Sequence, residues 1–133
     1  MNPVETLRDA LTRDPRVAYA LLFGSAARGT AHVGSDLDVA IGLRAGVTLE
    51  PREVGALIAD LERAAGRAVD LVLLNEAPPA LAYRVFRDGV VLVEQDHRAL
   101  ADRKARAVLD YLDFRPLEAI VVTGALRAAA RGR

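Results

Sequence analysis

The sequence contains no cysteine, which excludes a disulfide framework and any thiolate metal site. Its single lysine, Lys104, lies far from any glycine-rich turn, and no Gly-Lys-Ser or Gly-Lys-Thr occurs. A Walker-type phosphate loop is therefore absent, and the Rossmann glycine fingerprint is missing too. No apolar run reaches the ~18 residues of a membrane-spanning helix. The charged N-terminus, "MNPVETLRDALTRD", has no secretory apolar region. Eighteen basic residues balance eighteen acidic ones, so the chain lacks the basic excess of proteins that grip long nucleic acids. A late basic cluster (Arg98, Arg103, Lys104, Arg106, Arg127, Arg131, Arg133) reads as a solvated helix face. What these absences leave is a cytoplasmic protein with a small nucleotide or another protein as its expected partner. Its 133 residues, 52% of them hydrophobic, suit one domain with a proper core.

Asn2-Pro3-Val4-Glu5 reads as a helix start, with Asn as cap, Pro at the first position and Glu at the third. Val4, Leu7 and Leu11 follow at helical spacing, and Asp14-Pro15 closes the segment. "VAYALLF", 17 to 23, reads as a buried strand, and "DLDVAIGL", 36 to 43, as a strand of alternating character. There Leu37, Val39 and Ile41 point one way and Asp36, Asp38 and Ala40 the other. Val54, Leu57, Ile58, Leu61 and Ala65 form one helical stripe ending at Gly66. "AVDLVLLN" and "VVLVE" read as two more strands, separated by a helix carrying Leu81, Val85 and Phe86. A charge-rich helix from Asp96 to about Leu112 is expected to break at Phe114-Arg115-Pro116. The expected architecture is α/β (α+β), a mixed sheet of about four strands flanked by helices. It occupies residues 1–115, and for the tail, 116–133, a further helix, fraying and docking on a partner all stay open.

Two aspartates separated by one leucine are a poor start for a strand, because Asp is depleted there and like charges repel. Charges about 4 Å apart oppose each other by roughly 4 kcal/mol at an effective dielectric of about 20. A hard divalent cation removes that cost, and Mg²⁺ favours a few carboxylates together with substrate phosphates. Asp36 and Asp38, at positions i and i+2, project to one side of a strand, and Asp70 on a neighbouring strand can bring a third carboxylate to the same edge. Ahead of them Gly24-Ser25 sits where an apolar strand ends, and a glycine there lets backbone approach a ligand. Alone, that dipeptide is an ordinary turn. Combined with the aspartates after ten residues, it matches by chance at about one starting point in 50,000. The remaining residues read plainly: His32 as an exposed loop residue, His97 as lacking any ligand-spaced companion, and Tyr19, Tyr83 and Tyr111 as packing. A nucleotide-pocket role for Tyr83, Arg84 and Arg87 is the lesser alternative.

Gly24-Ser25, ten residues, Asp36-x-Asp38 and a later strand acid resemble the DNA polymerase β-type nucleotidyltransferase superfamily. "GSAARGTAHVGSDLDVAI" and "VDLVLLNEAPPALAYRVFRDGVVLVEQD" are similar to its minimal nucleotidyltransferase (MNT) branch. The resemblance covers about residues 17 to 115 and implies the polymerase β-like fold. It also implies an antitoxin that transfers AMP from ATP to a tyrosine hydroxyl of a partner HEPN ribonuclease toxin. On that resemblance Asp36, Asp38 and Asp70 hold Mg²⁺ or Mn²⁺, and Asp70 helps remove the hydroxyl proton. Gly24, Ser25 and Arg28 would meet the phosphates, with a surface salt bridge as the alternative for Arg28. Two other readings stand beside it: a nucleotidyltransferase modifying a small molecule such as an aminoglycoside, and an antitoxin that neutralises by binding alone.

Overall fold

The first helix begins as its residues dictate. Asn2 Oδ1 accepts the Glu5 N–H at 2.9 Å and Glu5 Oε2 accepts the Asn2 N–H at 3.3 Å, a capping box at the head of α1 (Pro3–Thr12). The computed structural model describes residues 2–29 and 35–130, with side chains through residue 113. After α1 come β1 (Val17–Phe23), α2 (Gly24–Arg28), β2 (Leu37–Leu43), α3 (Pro51–Ala65) and β3 (Val69–Leu73). Then follow α4 (Pro79–Asp88), β4 (Val90–Glu94) and α5 (His97–Ala130). The sheet runs β3-β2-β1-β4. β1 is antiparallel to both its neighbours, whereas β2 and β3 are parallel because the chain crosses over through α3. The expected mixed four-stranded sheet is thus present, with the short helix α2 added.

Helices cover both faces. On one, Leu7 and Leu11 of α1 and Leu57 and Leu61 of α3 pack with Leu37, Val39 and Ile41 of β2. On the other, Ala82, Val85 and Phe86 of α4 and Leu100 and Ala107 of α5 pack with Leu21, Phe23 and Ala40. All seven residues of β1 are buried, as an inner strand between two helical layers requires. Each large aliphatic side chain buried this way stabilises the fold by about 2 kcal/mol. The alternation along β2 has a functional consequence. Its odd positions face α1 and α3, so Asp38, like Ala40, belongs to the α4/α5 face.

Gly42, in β2, makes room for the ring of buried Tyr19, into which a Cβ would be driven. Gly42→Ala is therefore expected to destabilise the protein by about 1–3 kcal/mol. A lowered melting temperature, measured by circular dichroism, checks it.

The C-terminal helix departs from expectation. Asp96 Oδ1 caps it by accepting the Ala99 N–H at 3.0 Å, but it runs on through Pro116 to Ala130. Proline removes one N–H from the ladder and costs about 3 kcal/mol in a helix interior. The other turns keep their bonds, so the local breaker does not end the helix, and the boundary expected at residue 115 falls inside it. Arg98, Lys104 and Arg106 are exposed, as a solvated face requires. Arg103 instead turns inward and donates Nη2 to the Leu74 carbonyl at 2.9 Å. His32, Arg131 and Arg133 lie outside the described residues, as does the Arg127 side chain. No helix among the described residues is long and apolar enough to cross a membrane.

Candidate active site

Parallel pairing of β2 with β3 sets Leu37 against Val69 and Asp38 against Asp70. The two aspartates therefore stand side by side on the α4/α5 face of the sheet. They line a cleft of about 360 Å³ together with Phe23, Gly24, Arg28, Arg84 and Asp88. Asp36 stands exposed one residue ahead of β2 and is not part of the cleft wall. Arg67 holds this approach to β2 in place by donating to the Ser35 carbonyl.

The acid at the centre is Asp38. Burial holds its carboxyl above the usual carboxylate range, and the charges of Asp70 and then Asp36 push the same way. The guanidinium groups of Arg28 and Arg84 oppose them. Gly24 explains why the turn is glycine. Its φ is +71°, in the left-handed region, and a Cβ there would overlap Asp38 Oδ2 and stand 3.0 Å from Asp38 Cγ. The backbone at the end of β1 thus lies directly against the carboxylate.

Of the residues singled out by sequence, Gly24, Arg28, Asp38 and Asp70 come together in the cleft. Ser25 is half-buried on α2 beside the cleft without lining it. Two more residues join them: Arg84, which the sequence offered only as a lesser alternative for the nucleotide pocket, and Asp88, which it did not single out. Arg84 and Asp88 lie on α4 one turn apart and reach the cleft from the helix opposite the sheet. Asp88 is held by Arg87, whose Nε and Nη2 donate at 2.9 and 3.0 Å, and this hydrogen bonding keeps its carboxyl below the usual range. Arg87 also lies 5.9 Å from the Tyr83 ring centroid, and Tyr83 stacks on Tyr111 at 4.0 Å. Neither Tyr83 nor Arg87 is part of the cleft wall. The sequence signal for Arg84 was its four-residue spacing from Asp88 on a helix that follows the Asp70 strand.

Among the described residues no three His, Cys, Asp or Glu side chains are grouped so that they could hold a metal ion together, so Asp36 does not join Asp38 and Asp70 in the three-carboxylate set expected from the sequence. The donors present are hard oxygens, Asp38 and Asp70 in direct register, with the Asp36 charge near enough to act on Asp38. An open pair of this kind suits Mg²⁺, which keeps part of its shell for water and substrate phosphates. The facing like charges also need a counter-charge to coexist. The residues fit a divalent cation.

The sequence profile of the family described as "Polymerase beta, Nucleotidyltransferase" matches residues 5–98. A chain in a toxin–antitoxin complex solved with AMP-PNP superposes with a TM-score of 0.75 at 25% identity, over 95% of this chain and 99% of that one. The structure of a tri-AMPylated Shewanella oneidensis HEPN toxin with its MNT antitoxin contains a chain of the same fold. There the TM-score is 0.71 at 20% identity, covering 92% of this chain and 98% of that chain. A protein described as a minimal nucleotidyltransferase shares 33% identity over 68% of this chain and 95% of its own, with a TM-score of 0.54. No curated protein matches at the sequence level.

Proposed function

The chain belongs to the polymerase β nucleotidyltransferase family, and from that premise we propose that it transfers AMP from ATP to a tyrosine hydroxyl of a HEPN-domain toxin, acting as the toxin's antitoxin. The observation that carries this reading is the Asp38–Asp70 pair, two adjacent carboxylates facing Arg28 and Arg84 across one cleft. The acceptor class is supported by the relatives, one solved with AMP-PNP and one with an AMPylated HEPN toxin.

In the reaction the tyrosine oxygen bonds to the α-phosphorus of ATP, the α–β bridging bond breaks, and pyrophosphate leaves. Asp70 accepts the hydroxyl proton as general base. Arg28 and Arg84 neutralise the triphosphate from two sides, and the Ser25 hydroxyl with the backbone after Gly24 steadies its terminal phosphates. Asp38 and Asp70, with the charge of Asp36 close by, would hold a divalent cation, which when bound would supply charge neutralisation at the phosphorus and a more acidic attacking hydroxyl. The role of Asp38 also accounts for its burial, since a partly desolvated carboxylate binds a cation more strongly than a hydrated one.

Arg84→Ala is expected to raise KM for ATP by about tenfold while changing kcat much less, the size of one lost charge-assisted hydrogen bond. Steady-state kinetics at varied ATP checks it. The function itself is tested by intact-mass spectrometry of the HEPN partner after co-expression. Whole AMP increments on a tyrosine are expected, and a neutralised but unmodified partner would refute the enzymatic reading in favour of binding alone.

A further inference from the structure

A second concavity, of about 450 Å³, runs beside β3 and opens from the catalytic cleft, sharing Val72 and Leu81 with it. Its other walls include Val54 of α3, Leu71 and Leu73 of β3, and Ala77 in the turn before α4. Five of these six side chains are aliphatic and branched, and all six are half-buried.

β3 is the outer strand of the sheet on this side. The Leu37 N–H donates to the Ala68 carbonyl and the Leu74 N–H to the Ile41 carbonyl, each at 2.9 Å. Bonds in a parallel ladder step by two residues, so the even-numbered residues of β3 pair with β2. Val69, Leu71 and Leu73 therefore direct their N–H and C=O groups outward. Glu62 accepts the Val69 N–H and the Leu73 carbonyl accepts the Glu76 N–H, both at 3.0 Å. The N–H and C=O of Leu71 and the N–H of Leu73 remain on the open edge, which can template another extended chain.

The geometry points to this groove as the docking site of the acceptor: the tyrosine-bearing segment of the partner lies extended along the open edge of β3. This rests on the protein-acceptor reading above. Asp70 and Val72 share one face of β3, about 7 Å apart. A paired strand with its tyrosine opposite Asp70 thereby sets the residue two positions away against Val72 and Leu81. The groove thus selects an acceptor with an apolar residue at that spacing, and backbone pairing holds the tyrosine oxygen at the catalytic carboxylates. A small-molecule acceptor would have no use for a strand edge.

The test uses the full chain carrying Val54→Arg or Ala77→Arg, two groove positions outside the catalytic cleft, with the HEPN partner as acceptor. KM for the partner is expected to rise by at least about tenfold in both, with ATP affinity within about twofold of wild type. Retained ATP affinity reports that each variant is folded. A photo-crosslinking amino acid at position 77 is expected to capture the peptide containing the modified tyrosine. Unchanged KM in both variants, or a crosslink to a segment remote from that tyrosine, overturns the groove assignment while wild-type transfer leaves the function standing. If the wild-type chain transfers no AMP to the partner, the function fails and the groove assignment with it.

Discussion

Asp38→Asn is expected to lower AMP transfer by at least about a thousandfold, some 4 kcal/mol of lost transition-state stabilisation. The substitution keeps the side chain's shape and removes the one carboxylate that meets Gly24, Asp70, Arg28 and Arg84 together. Stability should move the other way. Below the ordinary carboxylate range Asp38 is protonated in both the folded and unfolded chain and costs nothing. As pH rises, folding demands a charge that burial, Asp70 and Asp36 disfavour, so stability falls through the window up to the raised folded-state value and stays lower above it. Near neutral pH without metal, the asparagine variant is expected to melt about 1–3 °C higher than wild type, the half-buried carboxylate being partly screened by solvent. That advantage should vanish at acid pH. Adding Mg²⁺ with a non-hydrolysable ATP analogue should raise the wild-type melting temperature and leave that of the variant unmoved. Thermal scans at two pH values, with and without ligand, check every part of this. A variant less stable than wild type at neutral pH would show that Asp38 is a structural residue.

Gly24→Ala is expected to reduce transfer by about a hundredfold. Two effects combine at this position. A side chain at φ +71° is strained by about 1–2 kcal/mol. The new methyl also occupies the place of Asp38 Oδ2, so the carboxylate must turn aside. Displacing a catalytic group by about 1 Å costs on the order of a hundredfold in rate. Gly29 separates the two effects, because it has nearly the same φ, +73°, and nothing within 4 Å of where its Cβ would stand. Gly29→Ala should lose a similar increment of stability and keep near-wild-type activity. Parallel melting curves and transfer rates for the two variants make the comparison. Equal losses of activity would mean that backbone strain, and not the approach to Asp38, is what matters at Gly24.

The sequence made legible what lies close along the chain or repeats with a simple period. The capping box at Asn2, the stripe through Leu57 and Leu61, and the alternation that sends Asp38 to the face opposite Val39 all follow from local spacing. The family resemblance, carried by Gly24-Ser25 and Asp36-x-Asp38, pointed to the profile that matches residues 5–98. Register between strands is a different matter. That Asp70 pairs with Asp38 depends on where the α3 crossover lands β3, which neither segment states by itself. The same holds for Arg84 and Asp88, ordinary surface residues of an amphipathic helix until α4 packs Ala82 and Val85 on the sheet and turns them toward the carboxylates. At Pro116 a local rule was overridden, since one missing hydrogen bond did not outweigh a long ladder. Asp36 illustrates a subtler limit. The i, i+2 rule gives it the side of Asp38, but the strand begins one residue later, so it contributes charge from outside the cleft.

The chemistry proposed for the Asp38–Asp70 cleft is transfer of the nucleotidyl group of ATP to a protein. Incubating the full chain and its HEPN partner with Mg²⁺ and ATP carrying radiophosphorus at either the α or the γ position tests it most directly. The expected result is a partner labelled by α-labelled ATP, unlabelled by γ-labelled ATP, and unlabelled by both when Asp38→Asn replaces the wild-type chain. Label entering from the γ position, or α-label entering undiminished with the Asp38→Asn variant, would contradict it.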